Sequence, residues 1–525
     1  MVFSATDFSS LKIDRRMKYR LDDSVMTAQT PLWLLIFAML AWRLAVAAIL
    51  PVTQDEAYYF DWAGHLAWGY FDHPPGVALL GLGTRLAPAS ALLARLGGLL
   101  AGGLTLLVLA RFYRHCGLTD RQDLAIALIL AFATLPGLAG GVLTTPDTVL
   151  TLGWALALHE GERALAGEQR RWLSAGLAIG LGLLGKYTMV LIGPIFLWTI
   201  LRSDWRTLRT PWPYLGALLA LLVFAPNIIW NASHDWLTMR FQFGHGFATE
   251  MGSLASGAIV HSGPQSAGER LASLADYVGV QFGCWGLILL PLLLTPWLTD
   301  RPDEAGRASS LAPHARILLI AATLFPLVFF GLVATISSVE ANWPVMSLLT
   351  AAPLAALWMR RIRGWVLAAA LANVLLVSLY VVHAATGALP LPDSQNRILR
   401  ETHGFADLAQ IAAGLDAPVY ADRYQTTAML RFYQPGLGIS QWPGLTRPSE
   451  YLLGEIAPRV VPEAINQPFW LVSRAGLAPV ITGVVADAPR TVFDCASQPL
   501  RETATAPCRH PLHVWHLYRY VPSSR

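Results

Sequence analysis

Charge is what this sequence has least of. Charged residues fill 14% of its 525 positions, where soluble domains carry roughly 25%. Cysteine is scarce too: four in the whole chain, too few for a disulfide scaffold. Near the start there is neither the short apolar region nor the small-residue cleavage site of a secretory signal, so the N-terminal tail is expected to be retained. In place of charge, hydrophobic residues reach 54%, with a mean hydropathy of +0.46, and they arrive in long blocks. A soluble multidomain enzyme, a disordered scaffold and a fibrous protein are all excluded. A polytopic membrane protein remains. The formal charge of +4 and pI of about 8.9 do not make it a nucleic-acid binder. Its Lys and Arg sit at the ends of apolar blocks, as topology signals do, not along one basic face.

A spanning helix needs about 20 mostly apolar residues. The first block is Leu32 to Leu50, preceded by Lys12, Arg15, Arg16, Lys18 and Arg20. Further blocks fall near 91–113, 123–142, 146–160, 172–185, 187–201, 212–231, 272–298, 316–336, 343–359 and 365–384, which predicts eleven spans. With the tail 1–30 in the cytoplasm, the inner segments hold Arg111, Arg114 and Arg121; Arg163, Arg170 and Arg171; and Arg202, Arg206 and Arg209. They also hold Arg301, Arg307 and Arg316, then Arg360, Arg361 and Arg363. The outer segments 52–75, 142–146 and 337–342 have no Lys or Arg, and the large outer loop 232–271 has only Arg240 and Arg270. Every parity obeys the positive-inside rule.

An odd number of spans puts the C-terminus outside. From about 385 the composition turns mixed and polar, with alternating runs such as Phe469-Trp470-Leu471-Val472. The expected architecture is a transmembrane domain over 31–384 and a small extracytoplasmic α/β domain over 385–525. Cys495 and Cys508 both fall in that domain, in an oxidising compartment where they can bridge. Cys116 is expected to face the cytoplasm and Cys284 to lie within a helix.

Polar residues at membrane depth or at a helix mouth are costly and point to function. The first outer loop, 52–90, opens with four acids, two histidines and no basic residue between 52 and 75. It reads Gln54-Asp55-Glu56-Ala57-Tyr58-Tyr59 and then Gly69-Tyr70-Phe71-Asp72-His73-Pro74-Pro75. Its aromatics and spacing predict amphipathic helices lying in the interface. Asp147, in Thr145-Pro146-Asp147, suits a helix N-terminus. Lys186 is the lone basic residue of its apolar surroundings; a cation on the outer side favours a bound anion over snorkelling. Arg240, His245, Glu250 and His261 lie in the large outer loop, and Glu340-Ala341-Asn342-Trp343-Pro344 forms the last outer turn.

This inventory suits one reaction class. A lipid-linked phosphate donor needs a cation, here Lys186, Arg240 or Arg270. An acceptor hydroxyl needs a carboxylate base, here Asp55, with Glu56 beside it. A divalent ion (Mg, Mn or Zn) would stabilise the leaving phosphate through oxygen and imidazole ligands. Tyr58, Tyr59 and Trp343 offer flat faces to sugar rings, with Glu340 and Asn342 as polar partners. Nucleotide sugars are not available outside the membrane, so a polyprenyl-phosphate sugar is the natural donor.

In their order, Asp55-Glu56-Ala57-Tyr58-Tyr59, Asp72-His73-Pro74-Pro75, Thr145-Pro146-Asp147, Gly185-Lys186-Tyr187-Thr188 and Ala341-Asn342-Trp343-Pro344 resemble the protein-mannosyltransferase superfamily, glycosyltransferase family 39. The pattern over about 30–360 is similar to its bacterial 4-amino-4-deoxy-L-arabinose lipid A transferases, and Asp422-Arg423-Tyr424-Gln425-Thr426-Thr427 is similar to their soluble tail. The resemblance implies a GT-C membrane fold and an inverting transfer in the bacterial inner membrane, with site and C-terminus facing the periplasm. The acceptor would be lipid A, another envelope glycolipid or polysaccharide, or a protein. By position, Asp55 matches an essential acid, Asp147 a second acid and Lys186 a phosphate-binding lysine. Asp72 and His245 match a metal-contacting pair, with His73 as a further ligand. His73 stands where those relatives carry Lys, which leaves a hexose or uronic acid donor as open as the arabinose. A transporter or lipid flippase is the alternative. Its polar residues would sit near the bilayer midplane on broken helices, whereas these cluster at outer loop ends.

Overall fold

The computed structural model describes residues 32–247, 266–298, 311–391, 396–462, 465–496 and 499–523. The tail 1–30, with Glu250, His261, Arg301 and Arg307, lies outside them. All the apolar blocks are helical where described. Leu32–Ile49, Leu96–Cys116, Trp212–Ser233, Pro313–Ala334 and Arg360–Thr386 are each long and apolar enough to cross a bilayer. By length and composition the described residues hold five such helices, or six if the bent pair 267–283 and 286–297 is one span, against the eleven expected. The other expected spans fall in helices that are shorter, broken or charged near their ends. Arg171–Leu183 and Met346–Trp358 are 13 residues each, short of the roughly 20 that span a bilayer. Pro146–Leu165 carries Asp147, Glu160, Glu162 and Arg163. Block 123–142 stops at Thr134, whose hydroxyl caps a new short turn, Leu135–Ala139.

Where a helix breaks at membrane depth, its freed backbone groups need partners. Asn373 serves the 96° bend between 283 and 286. Its Nδ2 donates to the carbonyls of Ala133 and Trp285, and its Oδ1 accepts from the Leu287 amide at 2.8 Å. Cys284 caps the helix at this break instead of lying inside it. Arg43 does the same for the break after Thr134, donating to Gly102 O at 2.8 Å and Gly137 O at 3.0 Å. The two ends of the bundle are tied separately. Among segments expected on the inner side, Arg360 pairs with Asp123 at 3.1 Å and His314 with Glu162 at 3.1 Å. Segments expected on the outer side meet at the opposite ends of these helices and build the site described below.

Helix Arg363–Thr386 ends on Gly387, in the left-handed conformation at φ 65°, close to the predicted boundary at 385. Beyond it lies a mixed sheet in the order β2-β1-β3-β7-β5-β6, with β4 also on β7. Here β1 is Val419–Ala421, β2 Ser440–Gln441, β3 Phe469–Ser473, β4 Val484–Ala486, β5 Arg490–Asp494, β6 Arg501–Glu502 and β7 His513–Pro522. Every residue of the central strand β3 is buried, which is why that segment reads as a continuous apolar run. Cys495 and Cys508 are disulfide-bonded. The domain does not stand apart. Its buried Phe405, Met429, Leu430 and Tyr451 share one apolar cluster with Tyr58, Phe60, Trp62 and Tyr70 of the first outer loop. Helix Gln54–Trp62, expected at the membrane interface, is instead buried beneath helix Tyr424–Tyr433. Its aromatic residues find more apolar surface there than a headgroup layer offers.

Candidate active site

The site begins with a capping box. Thr53 caps helix Gln54–Trp62, its hydroxyl accepting from the Glu56 amide while Glu56 reaches back to Thr53. This fixes Glu56 inward and Asp55 on the neighbouring face. Glu56 is fully buried, and Arg95, also fully buried, grips both its oxygens at 2.8 and 2.6 Å. The Thr144 amide adds a third donor at 3.1 Å. Expected among the catalytic acids, Glu56 is structural by this geometry, because no oxygen is left for a substrate. Asp55 differs. Its carboxylate is open to solvent, but from within a recess walled by protein. That enclosure, with the charge of Glu401 added, pushes its pKa up to about 6, against an opposing hydrogen bond from Tyr424. The Tyr424 hydroxyl donates to Asp55 Oδ1 at 3.2 Å.

Asp72 is buried and pairs with Arg447 at 2.7 Å. The Arg447 guanidinium lies over the Tyr424 ring at 4.2 Å and the Phe241 ring at 5.1 Å. Beside it, the buried Glu450 accepts from the Phe71 amide at 2.6 Å, and its own amide donates to the Tyr58 hydroxyl at 2.8 Å. Burial pushes the Glu450 carboxyl up to about 8. Tyr58 is thus a packing and docking residue, contrary to its expected place at the donor. Tyr59 turns its ring edge to His73 at 5.9 Å.

The second half of the site is a triad. Lys186 Nζ donates to Asp147 Oδ1 at 2.8 Å, and Asn342 Nδ2 donates to Asp147 Oδ2 at 2.6 Å. Glycines hold these loops together. The Gly76 amide donates to Leu184 O at 2.7 Å, and a Cβ on Gly76 would meet that oxygen at 2.8 Å. A Cβ on Gly185 would come within 2.5 Å of Val149. Beside Asp147 a small cavity of about 60 Å³ lies between helices, lined by Arg43, Thr105, Thr134 and Thr151 as well as by Leu106 and Leu348.

The remaining expectations divide. Arg240 pairs with the exposed Asp235 at 2.9 Å, at the surface. Arg270 lies exposed in the first turn of helix Ala267–Gly283, and Glu340 is exposed. Trp343 packs against Phe330, ring centroids 5.7 Å apart. For a metal, Asp72 Oδ2 is a buried oxygen without a hydrogen-bond partner. Among the described residues, however, no three His, Cys, Asp or Glu side chains come together, and Arg447 already meets the Asp72 charge. Gln242 Nε2 contacts His73 Nδ1 at 3.4 Å; the His245 side chain lies outside the described residues. These residues do not make a metal centre by themselves. Arg95, Tyr424, Arg447 and Glu450 were not legible as site residues, although Tyr424 falls in a motif noted above.

Residues 72–230, which hold Asp72, Asp147 and Lys186, match the model of the dolichyl-phosphate-mannose-protein mannosyltransferase family. The chain is similar to that family. It is 26% identical over 314 residues to the lipid A galacturonosyltransferase RgtD of Rhizobium johnstonii, covering 58% of this chain and 60% of that protein. It is 27% identical over 305 residues to undecaprenyl phosphate-alpha-4-amino-4-deoxy-L-arabinose arabinosyl transferase 1 of Sodalis glossinidius, covering 56% of this chain and 50% of the relative. The matches thus span only half to three-fifths of these relatives. The crystal structure of ArnT from Cupriavidus metallidurans bound to undecaprenyl phosphate shares the fold, with a TM-score of 0.59 at 16% identity over 93% of this chain and 97% of that one.

Proposed function

We propose that this protein is an inverting membrane glycosyltransferase that moves a sugar from a polyprenyl-phosphate donor to a lipid A-type or other envelope acceptor. The observation that carries the reading is Asp55, an exposed acid accepting from Tyr424, whose neighbour Glu56 accepts from the Thr144 amide three residues before Asp147 of the Asp147–Lys186–Asn342 triad. The acceptor oxygen attacks the anomeric carbon on the face opposite the phosphate. Its proton passes to Asp55, the carbon–oxygen bond to phosphate breaks with its electron pair, and polyprenyl phosphate leaves. Lys186 keeps donors beyond the one given to Asp147 and meets the growing phosphate charge. A divalent ion would need donors besides Asp72, whose charge Arg447 already meets; chelation during the assay tests for one.

The arginine distribution supports a site on the outer side of the membrane, and the bacterial relatives support an inner-membrane location with the site facing the periplasm. The experiment uses full-length protein in lipid nanodiscs with lipid A. It is offered undecaprenyl phosphate linked to 4-amino-4-deoxy-arabinose, to galacturonic acid or to a hexose, and free undecaprenyl phosphate is followed by mass spectrometry. Acceptor-dependent release from one donor names the sugar. Donors that bind and stay intact would replace the transferase with a lipid transporter.

A further inference from the structure

Asp55 and Asp72, the two acids of the first outer loop, face the same two residues of the C-terminal domain. Tyr424 donates to Asp55 Oδ1 at 3.2 Å, and Arg447 pairs with Asp72 Oδ1 at 2.7 Å. The two donors hold each other, since the Arg447 guanidinium lies 4.2 Å over the Tyr424 ring. Side chains more than 350 residues apart in sequence thus form one chain of contacts: Asp55, Tyr424, Arg447, Asp72. Tyr424 is buried and begins helix Tyr424–Tyr433, which packs on helix Gln54–Trp62 through Tyr58 and Phe432 against Phe60. We propose that Tyr424 and Arg447 are positioning residues for the sugar transfer, so that the C-terminal domain completes the active site.

The physical case is one of orientation. A carboxylate at the start of a helix has several staggered settings; a fixed phenol on one oxygen selects one of them and leaves the other oxygen for the acceptor. A tyrosine held only by packing would serve poorly, and Arg447 pins the ring across its face while the hydroxyl at its edge reaches Asp55. Asp72 in turn anchors Arg447, which explains a buried acid so close to the membrane. The groups acting on Asp55 are Glu401, Tyr424, Arg447 and Asp72, and of these only Asp72 lies outside the C-terminal domain. A truncated transmembrane domain would keep Asp55 and lose its orientation.

This inference rests on the proposed transfer, and two readouts keep the failures apart. The first is transfer from undecaprenyl phosphate-4-amino-4-deoxy-arabinose and undecaprenyl phosphate-galacturonic acid to lipid A, by full-length Tyr424→Phe, Arg447→Gln and Arg447→Lys in nanodiscs. Tyr424→Phe is expected to lower kcat about tenfold with KM unchanged, and Arg447→Lys to retain more activity than Arg447→Gln. The second needs no substrate: carbodiimide labelling of Asp55 against pH, read by peptide mass spectrometry. Tyr424→Phe removes a bond that favours the carboxylate, so its labelling midpoint moves upward. Variants that match the wild type in melting temperature, kcat and labelling midpoint would overturn the inference. A wild type that transfers nothing while the midpoint still shifts in Tyr424→Phe would sink the transferase reading and leave the positioning of Asp55 standing.

Discussion

Lys186 and Asp147 form an ion pair of 2.8 Å whose side chains are 9% and 12% exposed. Such a pair adds little by itself, but removing one partner strands the other, at a cost of about 3–5 kcal/mol in buried cases. Lys186→Met and Asp147→Asn are therefore each expected to lower the melting temperature. The double variant, with no charge left unpaired, recovers most of the loss by differential scanning fluorimetry. Activity does not return with stability, because no cation then faces the donor phosphate.

Neighbours in sequence part company in effect. Glu56→Ala strands the fully buried Arg95 and should cost about 3–5 kcal/mol, seen as poor yield and early melting. Asp55→Asn touches a solvent-open group and should melt with the wild type while abolishing transfer. Equal melting of both variants would contradict this division.

The raised pKa of Asp55 sets an acid limit to the rate. The base must be ionised, and its pKa stands at about 6, so kcat falls as pH drops through that value. A pH–rate profile flat from 7 to 4 would remove Asp55 from the role of base.

Glu450 gives the opposite sign for docking. Its folded pKa is raised from 4.5 to about 8, so the folded state holds the proton more tightly than the unfolded one. That contribution is complete below about 4.5 and is lost as pH rises through about 8. Hydrogen exchange in helix Tyr424–Tyr433 should rise as pH goes from about 5 to about 8 and level off above it, and Glu450→Gln, which cannot ionise, should remove the rise.

The disulfide Cys495–Cys508 closes a sequence separation of 13 residues, a loop for which chain entropy gives about 3 kcal/mol. Reduction is expected to raise hydrogen exchange in β5 and β6, with little change in the transmembrane helices.

Local signals in the sequence carried much of this. The apolar blocks are helices and Asp147 is at a helix start, because capping and turn chemistry are written within a few residues; that Lys186 and Asn342 reach it is set by packing of distant segments. The helix breaks were not legible, since they depend on distant partners such as Asn373 and Arg43 filling freed backbone positions. Arg447 was illegible for the same reason. It lies in a coil of a separate domain, and only the packing of Tyr424–Tyr433 on Gln54–Trp62 brings it to Asp72. Glu56 looked equivalent to Asp55, because adjacency in sequence hides that a helix turns them to different faces.

The most direct test of the transfer chemistry is the mass of the acceptor. Full-length wild type and Asp55→Asn, matched in melting temperature and in binding of undecaprenyl phosphate, are given the responding donor and lipid A. The account predicts a lipid A product heavier by one sugar with the wild type and none with Asp55→Asn. Equal product from both would remove Asp55 from the chemistry and contradict the mechanism.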